Sequence, residues 1–148
     1  MGIGSNDKIF ATAVINLGAA MPAHQLSQAV RKISLDALEG LVNMTPRDTG
    51  RAKGNWNVTT TSPSTKKASD EKMDVTGGNS IAAGTVKILS ATASNKVPKS
   101  IYITNNVDYI EDLENGRKGP GQGSLQAPDG MLKVTVNRLT LEHNVGEA

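Results

Sequence analysis

Residues 26–60 read LSQAVRKISLDALEGLVNMTPRDTGRAKGNWNVTT, and the fold follows from this stretch. In its first half Leu26, Val30, Ile33, Ala37, Leu41 and Met44 recur at spacings of three and four, with Ala29 and Leu38 widening the stripe. Gln28, Arg31, Lys32, Asp36 and Glu39 fill the other faces. That period predicts an amphipathic helix over about Pro22–Met44. Thr45-Pro46 stops it, because a residue before proline is pushed out of the helical region. Pro46-Arg47-Asp48-Thr49-Gly50-Arg51 then has turn composition. Asp48 suits acceptance of hydrogen bonds from the amides after it, Gly50 permits a positive φ, and Arg51 is expected to pair with a nearby carboxylate. Asn55–Thr60 alternates and is rich in β-branched residues, which predicts a strand with Trp56 and Val58 on one face.

Outward from this segment the signals are shorter. Ser62–Ser80 is polar and weakly anchored, and is expected to be a mobile loop or extended arm. Ile81, Thr85, Ile88, Leu89 and Thr92 predict a second helix over Ile81–Ala93. Ser100–Asn106 predicts a second strand ending in an Asn-Asn turn, with Asn105 and Asn106 capping it. Tyr109–Glu114 reads as a short helical turn stopped by Asn115-Gly116. Gly116–Gly123 places four glycines around Arg117, Lys118 and Pro120. The last element, Pro128 to about Asn144, fits a helix through Leu132, Val136 and Leu139, with Pro128 in its first turn. Leu132, Val134 and Val136 also alternate as in a strand, and pattern alone does not separate the two. At the other end, Ile9–Met21 is apolar but interrupted by Asn16 and Gly18, and is too short for a spanning helix of roughly 20 residues. Asp7 offsets Lys8 where a signal peptide would be basic. Met1–Met21 is therefore expected to be an amphipathic helix or docking arm on a soluble intracellular protein with no membrane partner.

These elements define an α+β fold: a long N-terminal amphipathic helix packed on a small antiparallel sheet, with additional helices including a C-terminal one. The expected organisation is one domain over residues 1–148, with a flexible arm at 1–21 and mobile loops at 62–80 and 116–127. The chain's 148 residues are enough for one core without disulfides.

Composition removes several chemistries. Aromatic residues make up 3%, namely Phe10, Trp56, Tyr102 and Tyr109, so the core must be aliphatic and a base-stacking platform is disfavoured. The absence of cysteine removes disulfides, thiolate metal sites and thiol nucleophiles. His24 and His143 stand alone, without a metal-site or triad motif around them. Sixteen Lys and Arg against fourteen Asp and Glu give a net charge of +2, too balanced for a dedicated DNA binder. The acidic group Asp108, Glu111, Asp112 and Glu114 lacks the spacing of a calcium loop and reads as a solvated helix face. Gly116–Gly123 lacks the Gly-Lys-Ser/Thr of a phosphate loop. It reads as a connector or a basic loop whose Arg117 and Lys118 contact a partner or DNA. No catalytic set, metal site or cofactor is expected.

The order of motifs says more than any one of them. A long helix runs into Thr45-Pro46-Arg47-Asp48-Thr49-Gly50-Arg51-Ala52, then Asn55-Trp56 and a strand. Ile101-Tyr102-Ile103-Thr104-Asn105-Asn106-Val107-Asp108-Tyr109-Ile110 follows the alanine-rich helix, then Leu113-Glu114-Asn115-Gly116, and Gln126-Ala127-Pro128-Asp129-Gly130-Met131 opens the last element. This succession resembles the tail-completion, or head–tail joining, family of long-tailed bacteriophages. Its members carry a T-P-x-D-T-G-R turn before an N-W or S-W pair, then a T-N-N-x-x-Y strand end, an E-x-G turn and an A-P-x-G start to the final helix. The resemblance spans about Ala29–Leu139. It implies an α+β subunit of the virion neck, assembled in the host cytoplasm into a homo-oligomeric ring, usually a hexamer. Such a ring would meet a portal, connector or head-closure protein on one side and a tail terminator, tube or sheath protein on the other. Genome DNA would pass through its lumen, and no catalytic residues carry over.

Under this reading Asp48, Thr49, Gly50 and Arg51 set the helix-to-strand turn, Trp56 and Tyr109 anchor the core, and Pro128 and Gly130 open the last helix. A different class remains open: a small nucleic-acid-binding module using Arg47, Arg51, Lys53, Lys66 and Lys67. The turn reading predicts that Asp48→Ala and Gly50→Val each lower thermal stability, Gly50→Val by about 1–3 kcal/mol. Unchanged melting temperatures in both variants refute it.

Overall fold

A computed structural model describes residues 11–15, 22–47, 50–69, 73–116 and 124–143. The elements are β1 (Ala11–Ile15), α1 (Ala23–Met44), α2 (Arg51–Gly54), β2 (Trp56–Thr59), α3 (Gly78–Ala91), β3 (Ile101–Asn105), α4 (Ile110–Glu114) and α5 (Leu132–His143). A single 3-10 turn, Ala93–Asn95, follows α3. The fold is α+β, with the long helix α1 against a small antiparallel sheet and further helices around it.

The sheet has three strands in the order β1-β3-β2. Its centre, β3, pairs antiparallel with β2 from Trp56↔Asn105 to Thr59↔Tyr102. On its other side it pairs antiparallel with β1 from Ala11↔Asn105 to Ile15↔Ile101. The segment 11–15, expected to lie in a helix or docking arm, is therefore an edge strand. The physical reason is tertiary: β3 has a second edge whose backbone groups need partners, and Ala11–Ile15 supplies them.

Helix α1 buries Leu26, Val30, Ala37, Leu38, Leu41 and Val42, close to the expected stripe. Ile33 and Met44 fall at its margin, and Ser27 and Ser34 are buried in their place. Ser27 is accommodated because its hydroxyl donates to the Thr92 carbonyl at 2.8 Å, while the Arg31 guanidinium reaches the same carbonyl at 3.1 Å. That joint ties α1 to the end of α3.

Helix α3 begins at Gly78, three residues before the expected Ile81, and its buried residues are Ser80, Gly84 and Ile88. A Cβ on Gly84 would meet Leu38 of α1 and Val58 of β2, so α3 sits where only hydrogen fits. The close approach turns the small residues inward and leaves Val86 and Leu89 exposed. Of the stripe expected from periodicity, Ile88 and Thr92 are buried and Ile81 packs on the core, while Leu89 turns outward.

The ambiguous last element is a helix. Thr135 and Leu139 of α5 are buried, while Val136 is exposed. Gly40 of α1 allows the approach, since a Cβ there would strike Thr135 and Arg138. His143 Nε2 lies 2.8 Å from Asp36 Oδ2 and fastens the far end of α5 to α1. Pro128 does not sit in the first turn of α5, which starts four residues later. The start is held instead by Glu114, whose carboxylate accepts the Met131, Leu132 and Lys133 amides at 3.0, 2.7 and 3.2 Å. These are orphan donors of a helix N-terminus, and a carboxylate suits them electrostatically as well. Glu114 thus leaves the solvated face expected for the acidic group. Among the described residues no helix is long and apolar enough to cross a membrane.

Removing the distant cap by Glu114→Ala is expected to cost about 1–2 kcal/mol in urea denaturation. The exposed neighbour change Glu111→Ala is expected to stay within about 0.5 kcal/mol.

Candidate functional site

Between Met44 and Trp56 the chain leaves a helix, bends and enters a sheet. Each break strands backbone groups, and here they are met by side chains from the sequence motifs. Thr45 donates its hydroxyl to the Leu41 carbonyl at 2.6 Å and accepts the Trp56 indole N–H at 2.8 Å. The Thr-Pro and Asn-Trp motifs are thereby joined, and Trp56 is buried in the core. Gly50 has φ 84°, and a Cβ there would strike the backbone of Asp74 and Val75. Its carbonyl accepts the Gly54 and Asp74 amides at 2.9 and 3.0 Å, pinning the bend to the segment before α3. Asp48 and Thr49 lie outside the described residues.

Asn55 and Asn105 are the polar centre, and both are almost fully buried. The Asn105 amide donates to the Ala52 carbonyl at 2.7 Å, and its oxygen accepts the Val107 amide at 3.1 Å. Asn55 donates to the Arg51 and Ser69 carbonyls at 2.8 and 3.0 Å and accepts the Ser69 amide at 2.8 Å. Asn106 donates to the Ser64 and Lys66 carbonyls at 2.7 and 2.9 Å. The stretch 62–69, expected to be part of a mobile loop, is therefore a strap held by two asparagines. The stretch 73–80 is held too, since Ser80 donates to the Lys53 carbonyl at 2.7 Å. Segment 124–127 is also fixed: Ala127 is buried in the core and Gln126 accepts the Arg47 amide at 3.0 Å. Residues 117–123, with Arg117 and Lys118, lie outside the described residues.

Lys53 takes a role that its sequence neighbourhood did not signal. It is buried, and its ammonium donates to the Val42 and Asn43 carbonyls at 2.6 and 3.3 Å. A cation at the C-terminus of α1 meets orphan carbonyls and the negative end of the helix. Burial pulls its pKa below the ordinary lysine value, Arg47 pulls it further by repulsion, and Asp74 opposes both. A side chain committed in this way cannot grip a phosphate, so Lys53 is removed from the set proposed for nucleic-acid contact.

Arg51 pairs with Asp108 at 2.9 Å and lies over the Tyr109 ring, 5.8 Å from its centroid. Arg51 holds the Asp108 carboxyl below the usual range. Tyr109 is half-buried under this pair at the core's margin, rather than a central anchor like Trp56. Asp74 is held below the usual carboxylate range by the Asn79 amide first and the Thr76 hydroxyl second, and so caps α3. A second cluster sits where Glu114 meets α5. Gly116 and Gly130 both have positive φ, and a Cβ on either would strike Pro128 or Glu114.

Two other groups of titratable residues are placed. His24 is exposed on the first turn of α1. Asp36, Glu142 and His143 bring ligand atoms within 4.8 Å of one another. His143 is already bonded to Asp36, and Arg138 reaches Glu142 at 3.5 Å, so the trio serves as a clasp between α1 and α5. Arg47, Lys66 and Lys67 are exposed. The motif residues thus converge, and their polar groups bind the chain's own backbone. No protein-family model, curated protein or solved structure matches this chain.

Asn105→Ala removes a donor and an acceptor from buried backbone, and is expected to cost about 2–3 kcal/mol. Asn106→Ala is expected instead to speed hydrogen exchange of the strap while the global unfolding midpoint moves little.

Proposed function

We propose that this chain is a structural subunit of a bacteriophage neck, forming a ring that joins the head connector to the tail and lets DNA pass. The observation that carries the reading is the convergence of the motif residues. Thr45, Trp56, Asn105, Asn106 and the Glu114–Gly130 pair come from segments up to about 85 residues apart, and they meet in two clusters. The residues that carry the resemblance therefore act together in one construction, which supports this reading. Their side chains bond to backbone and brace a scaffold, which suits a protein whose work is to be assembled rather than to catalyse.

The alternative, a nucleic-acid module, rests on fewer residues than its sequence suggested. Lys53 is committed to α1 and Arg51 to Asp108, which leaves Arg47, Lys66 and Lys67. A ring lumen around sliding DNA also favours weak, diffuse contact over a firm grip. Native mass spectrometry of the purified chain, alone and with phage connector rings, is expected to show a closed homo-oligomer. Duplex DNA affinity is expected to be weak, with a shallow salt dependence. A steep salt slope on a persistently monomeric chain favours the nucleic-acid module instead.

A further inference from the structure

The near-zero net charge conceals a strong separation. From Gly50 to Ser69 and from Val75 to Val107 the sequence has no Asp or Glu, yet it carries Lys66, Lys67, Lys87, Lys96 and Lys99, all exposed. Asp70, Glu71 and Asp74 fall between these stretches, and Asp74 shares a cavity with Lys66 and Lys87, but the groove beside Lys87 and Lys96 has no carboxylate in its lining among the described residues. Exposed carboxylates cluster elsewhere: Asp108, Glu111 and Asp112 at α4, and Asp129 in the turn before α5. Among the described residues Lys87, Lys96 and Lys99 form no ion pair, and neither do Glu111, Asp112 and Asp129.

The sheet puts α3, with Lys87, and α4, with Glu111 and Asp112, at opposite edges. Helix α3 lies against β2, while α4 and α5 lie against β1. In the order β1-β3-β2 those strands are the two edges. Each side also exposes apolar surface. On the basic side Val86 is 67% exposed beside Leu89 and Val97, and an open groove between α3 and the strap is lined by Val58, Thr60, Val86, Lys87, Ser90 and Lys96. On the acidic side Leu125 is 77% exposed, four residues from Asp129.

We propose that the occupant of the basic groove is the acidic edge of a second copy of this chain, with Leu125, Glu111, Asp112 and Asp129 against Val86, Leu89, Lys87, Lys96 and Lys99. Arg51 and Asp108 do meet within one molecule, but Lys87, Lys96 and Lys99 make no ion pair there with Glu111, Asp112 or Asp129. An identical neighbour carries the complement of each face. The contact is heterologous, so repetition by a closing rotation gives a ring with neither face left over. DNA would match only the basic side. The inference rests on the ring reading and deepens it by naming both faces of the contact between subunits. Charges at such a rim set orientation and association rate, and their effect falls with salt.

The test uses two variants of the full chain, Lys87→Glu/Lys96→Glu/Lys99→Glu and Glu111→Lys/Asp112→Lys/Asp129→Lys. All six positions are exposed, and circular dichroism melts check that both variants fold. In sedimentation velocity the wild type is expected to associate less at high salt. Each variant alone is expected to stay monomeric at about ten times the wild-type midpoint concentration. An equimolar mixture is expected to associate again, because native faces then meet and the reversed faces also complement each other. Variants that associate like the wild type overturn the faces assigned here and leave the ring reading standing on another surface. A wild type that is monomeric at its solubility limit overturns the proposal, while the ring reading then stands or falls on assembly with connector rings. If the lysine reversal only weakens duplex DNA binding, with no change in association, the basic face belongs to nucleic acid and the proposal fails.

Discussion

Buried backbone needs partners, and in this protein the need is concentrated in the twelve-residue passage from Thr45 to Trp56. A helix ends, the chain bends through a left-handed glycine, makes one helical turn and enters a sheet. The carbonyls of Leu41, Val42, Asn43, Gly50, Arg51 and Ala52 all find partners there outside regular helix and strand ladders. Thr45, Lys53, Asn55 and Asn105 supply most of them. Each leaves a costly unpaired group if lost, because Thr45, Lys53, Asn55 and Asn105 are themselves buried. The strap, the start of α3 and the end of β3 are all tied to this passage, so their positions follow from it.

A scaffold of this kind has little side-chain chemistry to spare. The buried amides of Asn55 and Asn105 bond to backbone on both their donor and acceptor sides. The buried hydroxyls of Ser34 and Thr135 have no partner among the described residues, and Thr135 packs against Gly40 of α1. Interaction is left to the surface, where Lys87 and Lys96 line a groove beside α3 and Glu111, Asp112 and Asp129 are exposed near α4 and the start of α5. Such an arrangement gives a small subunit two distinct faces.

Much of the fold was legible because its signals are local. The 3.6-residue period gives α1 to within a residue, and Thr45-Pro46 marks its end. The β-branched runs give β2 and β3, and Asn115-Gly116 stops α4 where expected. The elements that were missed have no local signature. β1 is a strand because β3 has an open edge. The packed face of α3 runs through Ile81, Ile88 and Thr92 as hydrophobicity suggests, but the close approach of α1 and β2 at Gly84 leaves Leu89 outside it. Glu114 lies among acids in sequence, and only the arrival of α5 turns it into a cap. Within the candidate site, the pairing of Arg51 with a carboxylate and the capping role of Asn105 were legible from residue type, whereas the burial of Lys53 was not.

The sequence by itself determined the α+β class, the long helix, the turn chemistry of the Thr-Pro to Gly-Arg motif and the poverty of Cys, His and aromatic residues. Those are properties of neighbours along the chain, set by dihedral preference, periodicity and composition. Tertiary structure alone decided which polar residues are structural, that Leu89 of α3 is exposed, and which charged groups stand apart from one another. Burial, capping and the separation of charge depend on distances between segments tens of residues apart, and no local pattern encodes those distances.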